Sequence, residues 1–515
     1  QWLELDGWTE WIGAATFSIA PSLTSKISSV ADVDVWFKRA VSRLCVEKPS
    51  LLASINRGQD GSAISRPRTF LYRPLESDHD LAERIAGQTT IIQTPKSVQD
   101  GLRSVTDNFY LNPEKRISIE LGGHLIQFSL VVSSAEPGTF AVAIRCSHAL
   151  NDFWSGAAIL DSLLDKLANG LAEEKTAGPS YKDASTSSLH HCYLDLLQEP
   201  IGYTIFDQAS EDKAKQLIGS NLANITLCPV AQEPAGNLPD TEYAVRRRVF
   251  PKDLTQKIMH LCKAHGVTVA ALLTALQAFA LLQAFPPQDP SRSSAAPICV
   301  SNRLRHTTLA CNQDDTYGSS PKPLHQVANE AAAIGPVMAT TFLVTPFEVG
   351  PFLEFEDTYK NSAWSDRVWE VARNIHQVTK DAIESNISEH VEWTKGPNAF
   401  GAVTLAMEAM KAGHIPAPPG MLTPLSSAGL LDGVHIRENY GHETQEGVRT
   451  VSLRDFAFFS RVSNLFGPQT WAWTALGKLN SVLIMPDPRA RSVPNVEWWT
   501  VFNQMIVDIS SEPLE

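Results

Sequence analysis

Apolar positions return at helical spacing through 31–46, where Val33, Val35, Trp36, Ala40, Val41 and Leu44 predict one helix. Pro49 ends that pattern, and 51–55 reads as a short apolar strand. Further strands are expected over 69–72, 124–132 and 139–146, the last after a turn rich in Ser, Pro and Gly. From 152 to 167 the helical period resumes, with Ile159, Leu160, Leu163, Leu164 and Leu167 on one face. The local order is strand, short polar turn, helix.

Periodicity then fades between 171 and 245, which holds the Ser/Thr/Gly-rich GPSYKDASTSS and the Pro/Gly-rich CPVAQEPAGNLPD. A long crossover is placed there. It divides the chain into an N-terminal lobe (1–175), a crossover segment (176–243) and a C-terminal lobe (244–515). The second lobe opens with a strand at 244–250 and a helix at 252–264 that Gly266 ends, then a helix at 267–283. Strands are expected at 296–302, 336–349, 423–429, 448–462 and within 470–485, and helices at 366–385, 399–411 and 496–509. The pattern is α/β, without the regular βαβ alternation of a doubly wound sheet.

Bulk properties narrow the classes. A chain of 515 residues exceeds what one core usually supports, which agrees with two lobes. A formal net charge of -13 opposes nucleic acid or an anionic membrane as the main partner, since both demand basic surface. A local basic pocket for a phosphorylated cofactor stays compatible with it. The 7 cysteines include no C-x-x-C and no His/Cys cluster at zinc spacing, so free thiols in a reducing compartment and no metal are expected. No basic, apolar leader is visible; a cytoplasmic protein is expected, and the sequons at Asn224 and Asn386 read as chance matches. The apolar stretch 267–285 is long enough to span a bilayer. It carries Thr268, Thr274, Gln277 and Gln283 and runs into Pro286-Pro287, so it reads as a buried core helix.

Two His-x-x-x-Asp pairs occur, His148 with Asp152 and His191 with Asp195, where about one is expected by chance. His191 lies in HHCYLDLLQE, which reads as a helix, and there residues i and i+4 are merely surface neighbours. His148 instead lies in the turn between an apolar strand and an amphipathic helix, a place where rigid scaffolds hold catalytic side chains. Spacing alone leaves both a space-filling turn residue and a general base open for it. No G-x-S-x-G, G-x-x-x-x-G-K-[ST] or G-x-G-x-x-G is present, so serine hydrolysis, ATP use and dinucleotide use have no support.

Residues 147–156 (SHALNDFWSG) resemble the HxxxD segment of the CoA-dependent acyltransferase superfamily. That group includes the plant-type BAHD acyltransferases, the condensation domains of peptide synthetases and the fungal trichothecene O-acetyltransferases. Other matches follow in the family's order. Lys48-Pro49-Ser50-Leu51-Leu52 stands where the family has Pro-x-Leu after its first long helix, and 260–276 (HLCKAHGVTVAALLTAL) resembles its helix, Gly-Val-Thr-Val, helix element. Val300-Ser301-Asn302-Arg303-Leu304-Arg305 resembles an Arg-bearing strand, and Ser426-Ser427-Ala428-Gly429 a Ser-x-x-Gly strand. Asp455-Phe456-Ala457-Phe458-Phe459 stands where plant members carry Asp-Phe-Gly-Trp-Gly. The series spans nearly the whole chain and leans toward the fungal branch, of the trichothecene 15-O-acetyltransferase type. Two departures stand out: Phe153 occupies the usual Gly position after the motif Asp, and the last motif keeps only Asp455 and Phe456.

The resemblance implies a two-domain, chloramphenicol-acetyltransferase-like α/β fold with mixed sheets and an active-site channel between the domains. It implies His148 as general base toward an acceptor hydroxyl that attacks an acyl-CoA thioester, acetyl-CoA being the default co-substrate. An ordinary imidazole pKa of about 6.5 leaves that base largely neutral at physiological pH. Asp152 has two readings: orienting the imidazole, or, as the family implies, turning away to pair with an arginine, with Arg303 the expected partner. Asp455 and Phe456 are expected to support the channel wall. Lys478 and Arg305 are weaker candidates for CoA phosphates, and Cys146 reads as a small buried residue. The implied acceptor is a small-molecule alcohol, terpenoid or polyketide, such as a trichothecene, with no metal and a monomeric protein. Two alternatives stay open. One is a carrier-protein-dependent condensation enzyme forming amides, disfavoured by Ser147 and Phe153; the other is a non-catalytic metabolite-binding paralogue.

Overall fold

A computed structural model of the chain describes residues 10–55, 70–111, 124–147, 150, 153–172, 178–185, 244–284, 293–301, 340–348, 362–385, 425–444, 447–460, 469–485 and 493–512. From the N-terminus the elements are β1 (Trp11–Ile19), α1 (Val30–Glu47), β2 (Ser54–Ile55), β3 (Phe70–Leu71), α2 (Asp78–Gln88), β4 (Thr89–Thr94) and α3 (Val98–Leu111). Next come β5 (Ile126–Ser133), β6 (Thr139–Cys146), α4 (Phe153–Ala172) and α5 (Tyr181–Ser185). There follow β7 (Ala244–Val249), α6 (Lys252–Ala264), α7 (Val269–Ala284), β8 (Ser293–Ser301), β9 (Thr340–Glu348) and α8 (Ser362–Ser385). The last are β10 (Leu425–Leu430), β11 (Asn439–Glu443), β12 (Arg449–Ser460), β13 (Gln469–Ala475), β14 (Lys478–Met485) and α9 (Val493–Ile509).

These elements form two compact units. The first is built on a six-stranded sheet ordered β11-β12-β1-β6-β5-β4, antiparallel except where β4 runs beside β5. One face carries α4 and α1, which pack against each other, with Trp36 of α1 also against Phe140 of β6, and the other face carries α3. Helix α1 starts where Ser29 and Asp32 form a reciprocal capping box, which satisfies two of the backbone donors left open at a helix start. It buries Val33, Trp36, Phe37, Ala40, Val41 and Leu44, and the Trp36 indole N–H donates to the Leu167 carbonyl of α4 at 2.9 Å. On the other face Gly101 lets α3 approach β5 closely, since a Cβ there would lie 2.5 Å from Val131 Cγ1.

The second unit holds a six-stranded mixed sheet, ordered β7-β14-β13-β10-β8-β9, in which β10 is parallel to both neighbours. Helix α6 ends as expected at Gly266, whose φ of 67° is the left-handed conformation of a helix C-terminus, and the Val267 N–H closes onto the Cys262 carbonyl. Helix α7 is apolar all round and is buried in one core with α8 and α9, where Phe279 meets Trp364 edge-on. The described part of the apolar stretch 267–285, residues 267–284, therefore belongs largely to the core. Among the described residues no single helix is long and apolar enough to cross a membrane.

Several expectations need correction. The linear lobes do not follow the sheets: β12, from the C-terminal lobe, is hydrogen-bonded along the whole of β1, from Trp11 opposite Ser460 to Ile19 opposite Val451. A strand buried at the centre of a sheet must satisfy backbone groups on both edges, and for β1 one edge is served by β6 and the other by β12. The segment 51–55 begins inside a 3₁₀ turn over Pro49–Leu52, and only Ser54–Ile55 forms a strand. Strands β1, β4 and β11 and helices α2 and α3 were not expected, and the helix expected at 399–411 lies outside the described residues.

Candidate active site

Segment 147–152 leaves the end of β6 and runs into the start of α4. His148 and Asp152 lie outside the described residues, as do Arg303, Arg305 and His191. Their described neighbours are firmly held. The Ser147 N–H donates to the Leu125 carbonyl at 2.9 Å, and the Ser147 carbonyl accepts from the Leu150 N–H at 3.0 Å. Both residues are buried, as is Cys146, whose thiol donates to the Ser147 carbonyl at 3.4 Å.

Helix α4 is seated on the sheet by close contacts. Gly156 faces Trp11 of β1, and Gly13 of β1 faces Leu160, so small residues on each side admit the large residue opposite. Phe153, the departure from the family pattern, is buried at the first position of α4, with its ring 4.1 Å from that of Phe458 and 6.3 Å from that of Phe456. Phe458 in turn stacks on Trp11 at 5.0 Å. Phe153 therefore fills the space between the start of α4 and β12, and burial of a side chain this size contributes about 1.5–3 kcal/mol. The two departures, Phe153 and Asp455-Phe456-Ala457-Phe458-Phe459, meet in space.

Asp455 and Phe456 lie on opposite faces of the first sheet. Phe456 pairs with Ala15 on the α4 face, whereas Asp455 pairs with Thr16 on the α3 face, where the Gln99 side chain of α3 donates to Thr16 Oγ1 at 3.1 Å. A bulge at Arg454 follows immediately, and Arg454 Nε donates to Ser18 Oγ. Lys478 stands in the second unit, at the hairpin between β13 and β14.

Two polar clusters flank this region, and neither was visible in the sequence pattern. On the α3 face, Arg145 Nη2 and Nε donate to Glu10 Oε2 at 2.9 and 3.2 Å, with the guanidinium 5.6 Å from the Phe109 ring centroid. On the outer side of α4, the Tyr440 hydroxyl donates to Asp161 Oδ1 at 2.9 Å, and Arg437 grips both Asp161 oxygens and Asp165. Burial, then the Asp161 charge, pushes the Tyr440 phenol well above its ordinary pKa. Burial would lower Arg437, but its hydrogen bonds to Asp161 and the charges of Asp161 and Asp165 win and raise it. Beside this clamp Trp154 stacks on His435 at 5.9 Å. Among the described residues no group of three His, Cys, Asp or Glu is placed to hold a metal. A cavity of about 520 Å³ opens at the Thr139 end of β6, the end remote from 147–152.

No protein-family model matches this chain, and no curated protein does. Among solved structures it is similar to trichothecene 15-O-acetyltransferase TRI3 from Fusarium sporotrichioides, with a TM-score of 0.67 and 15% identity, covering 98% of this chain and 91% of that one. Polyketide synthase associated protein 5 from Mycobacterium tuberculosis gives a TM-score of 0.56 and 14% identity over 99% and 97% of the two chains. The first condensation domain of the calcium-dependent antibiotic synthetase gives 0.54 and 12% over 99% and 93%. At such identities the likeness shows the fold: a mixed α/β chain with two mixed sheets, as in the chloramphenicol-acetyltransferase-like acyltransferases and condensation domains.

Proposed function

We propose that this protein is an acyl-CoA-dependent O-acyltransferase, with acetyl the default acyl group, acting on a hydroxyl of a terpenoid-like or polyketide metabolite such as a trichothecene. The observation that carries the reading is the joint one of motif and fold. Ser147-His148-Ala149-Leu150-Asn151-Asp152 links β6 to α4 within an architecture shared with acyl-transferring enzymes.

In this reading His148 Nε2 takes the acceptor hydroxyl proton as the oxygen attacks the thioester carbonyl. The tetrahedral intermediate collapses, its C–S bond breaks, and the proton held on His148 passes to the departing CoA thiolate. Asp152 is assigned the role of holding the turn through an arginine rather than of orienting the imidazole. Phe456 supports the site through Phe153 and the start of α4, and Asp455 through β1. In this reading CoA and a small-molecule alcohol are the co-substrates, and the protein works as a cytoplasmic monomer without a metal.

A second reading draws on the condensation-domain likeness: the same base chemistry, with an amine acceptor and a thioester delivered on a carrier protein. Ser147 stands where such domains carry a first His, which opposes it. The deciding experiment is thiol titration of CoA released from acetyl-CoA with a panel of hydroxylated terpenoids and polyketides, comparing wild type, His148→Ala and His191→Ala. Acceptor-dependent release lost only in His148→Ala supports the proposal. Turnover that requires a thioester on a carrier protein moves the assignment to the second reading, and absence of CoA binding sinks the first.

A further inference from the structure

We infer that Glu10 and Arg145 form a positioning pair for the end of β6 and Ser147, next to the proposed base; this rests on the acyltransfer reading, in which His148 does the chemistry. Arg145 is the penultimate residue of β6, and Glu10 immediately precedes β1. Because Trp11 lies opposite Cys146, the ion pair closes the β1–β6 ladder at the end from which the motif leaves. Both side chains are removed from water, with 3% of Glu10 and 11% of Arg145 exposed. Two donors converge on one carboxylate oxygen, and Phe109, near the end of α3, lies against the guanidinium. Three elements, β1, β6 and α3, are thus tied at one point, two residues before Ser147.

Stability is a poor explanation for such a pair. Replacing a buried ion pair by apolar residues of similar volume is often neutral or stabilising, because desolvation offsets the attraction. What apolar packing does not supply is direction. Two charge-assisted hydrogen bonds fix the end of β6 in register and orientation, next to the Ser147 N–H bond to Leu125 that completes the ladder. A general base displaced by about 1 Å loses on the order of 10²-fold in rate, so a loosened strand end acts directly on turnover.

The test compares wild type, Arg145→Lys, Glu10→Gln and the double variant Glu10→Leu/Arg145→Met. Each is followed by thermal unfolding, by kcat and KM for CoA release, and by amide hydrogen exchange at Ser147 and Leu150. The inference expects kcat of the double variant to fall about tenfold or more, beyond any loss of folded fraction, with KM for acetyl-CoA unchanged. Exchange at both amides should rise by a similar factor, with Arg145→Lys intermediate. A double variant of wild-type kcat and wild-type exchange would overturn it, making the pair a structural tie alone. If the double variant does not fold, Arg145→Lys and Glu10→Gln decide by the same readouts. Should wild type show no turnover with any acceptor, the acyltransfer reading fails, and hydrogen exchange still decides whether the pair orders the segment.

Discussion

Gly156 lies in the first turns of α4, just after the segment that carries the proposed base, and its replacement by alanine tests how that helix is seated. A Cβ at this position would lie 2.5 Å from Trp11 Cη2, 2.9 Å from Cζ2 and 3.0 Å from Cζ3. The obstacle is the body of a rigid ring. Trp11 is 1% exposed and stacked on Phe458, which Phe153 covers from the other side, so the indole has no open space to enter. Alanine gains about 1 kcal/mol of helix propensity over glycine, while overpacking of a filled core costs about 1–3 kcal/mol, with a rigid obstacle at the upper end. The expected net loss is about 1–2 kcal/mol, or roughly 2–8 °C in Tm for a unit of this size. Circular dichroism melts of wild type, Gly156→Ala, Trp11→Phe and the double variant provide the assay. Phenylalanine lacks the ring atoms the new methyl meets, so the double variant should be at least about 1 kcal/mol more stable than the sum of the single losses. A Gly156→Ala protein as stable as wild type, or strictly additive losses, would refute the seating argument.

Phe153→Ala removes the ring between α4 and β12 and should cost about 3 kcal/mol, the lower part of the range for a buried Phe, with CoA release falling by more than the folded fraction explains. Unchanged melting would mean that the ring is dispensable for seating the helix. Tyr440→Phe should cost about 1–2 kcal/mol at neutral pH, because Asp161 and the Arg437 N–H lose a buried partner. The folded-state pKa of Tyr440 is raised, so its contribution is fully present below the unfolded value of about 10 and is lost as pH rises through the folded value. Melts from neutral to alkaline pH should therefore show the advantage of wild type over Tyr440→Phe shrinking above about pH 10; a constant gap would contradict the assignment.

Strands and helices with a clear period were legible: the expected 139–146 and 252–264 match Thr139–Cys146 and Lys252–Ala264. The strand at the centre of the first unit was not. β1 (WIGAATFSI) is buried along nearly its whole length and therefore shows no alternation, and its Gly13 and Ala14-Ala15 lower its strand propensity further. Glycine is there because Leu160 sits against that backbone, a requirement set by a helix 147 residues along the chain that no local window contains. The assignment of β12 to the first sheet failed for the same reason: its strand character is local, but its partner is not.

Around the candidate site the placement of residues is legible to two different degrees. Asp455 and Phe456 are adjacent in a strand expected over 448–462, which already implies that they point to opposite faces. The structure separates them that way, Phe456 toward α4 and Asp455 toward α3, so this much was legible from the period alone. Glu10 and Arg145 are different. They are 135 residues apart, one at a strand start and one near a strand end, and only the register that sets Trp11 opposite Cys146 brings them together. The same holds for Phe153 with Phe458, and for Asp161 with Tyr440. The His-x-x-x-Asp pattern is legible because both of its residues lie within one short segment. The residues that hold the turn in place are drawn from whichever strands and helices the sheet order makes its neighbours, so they become visible only once that order is known.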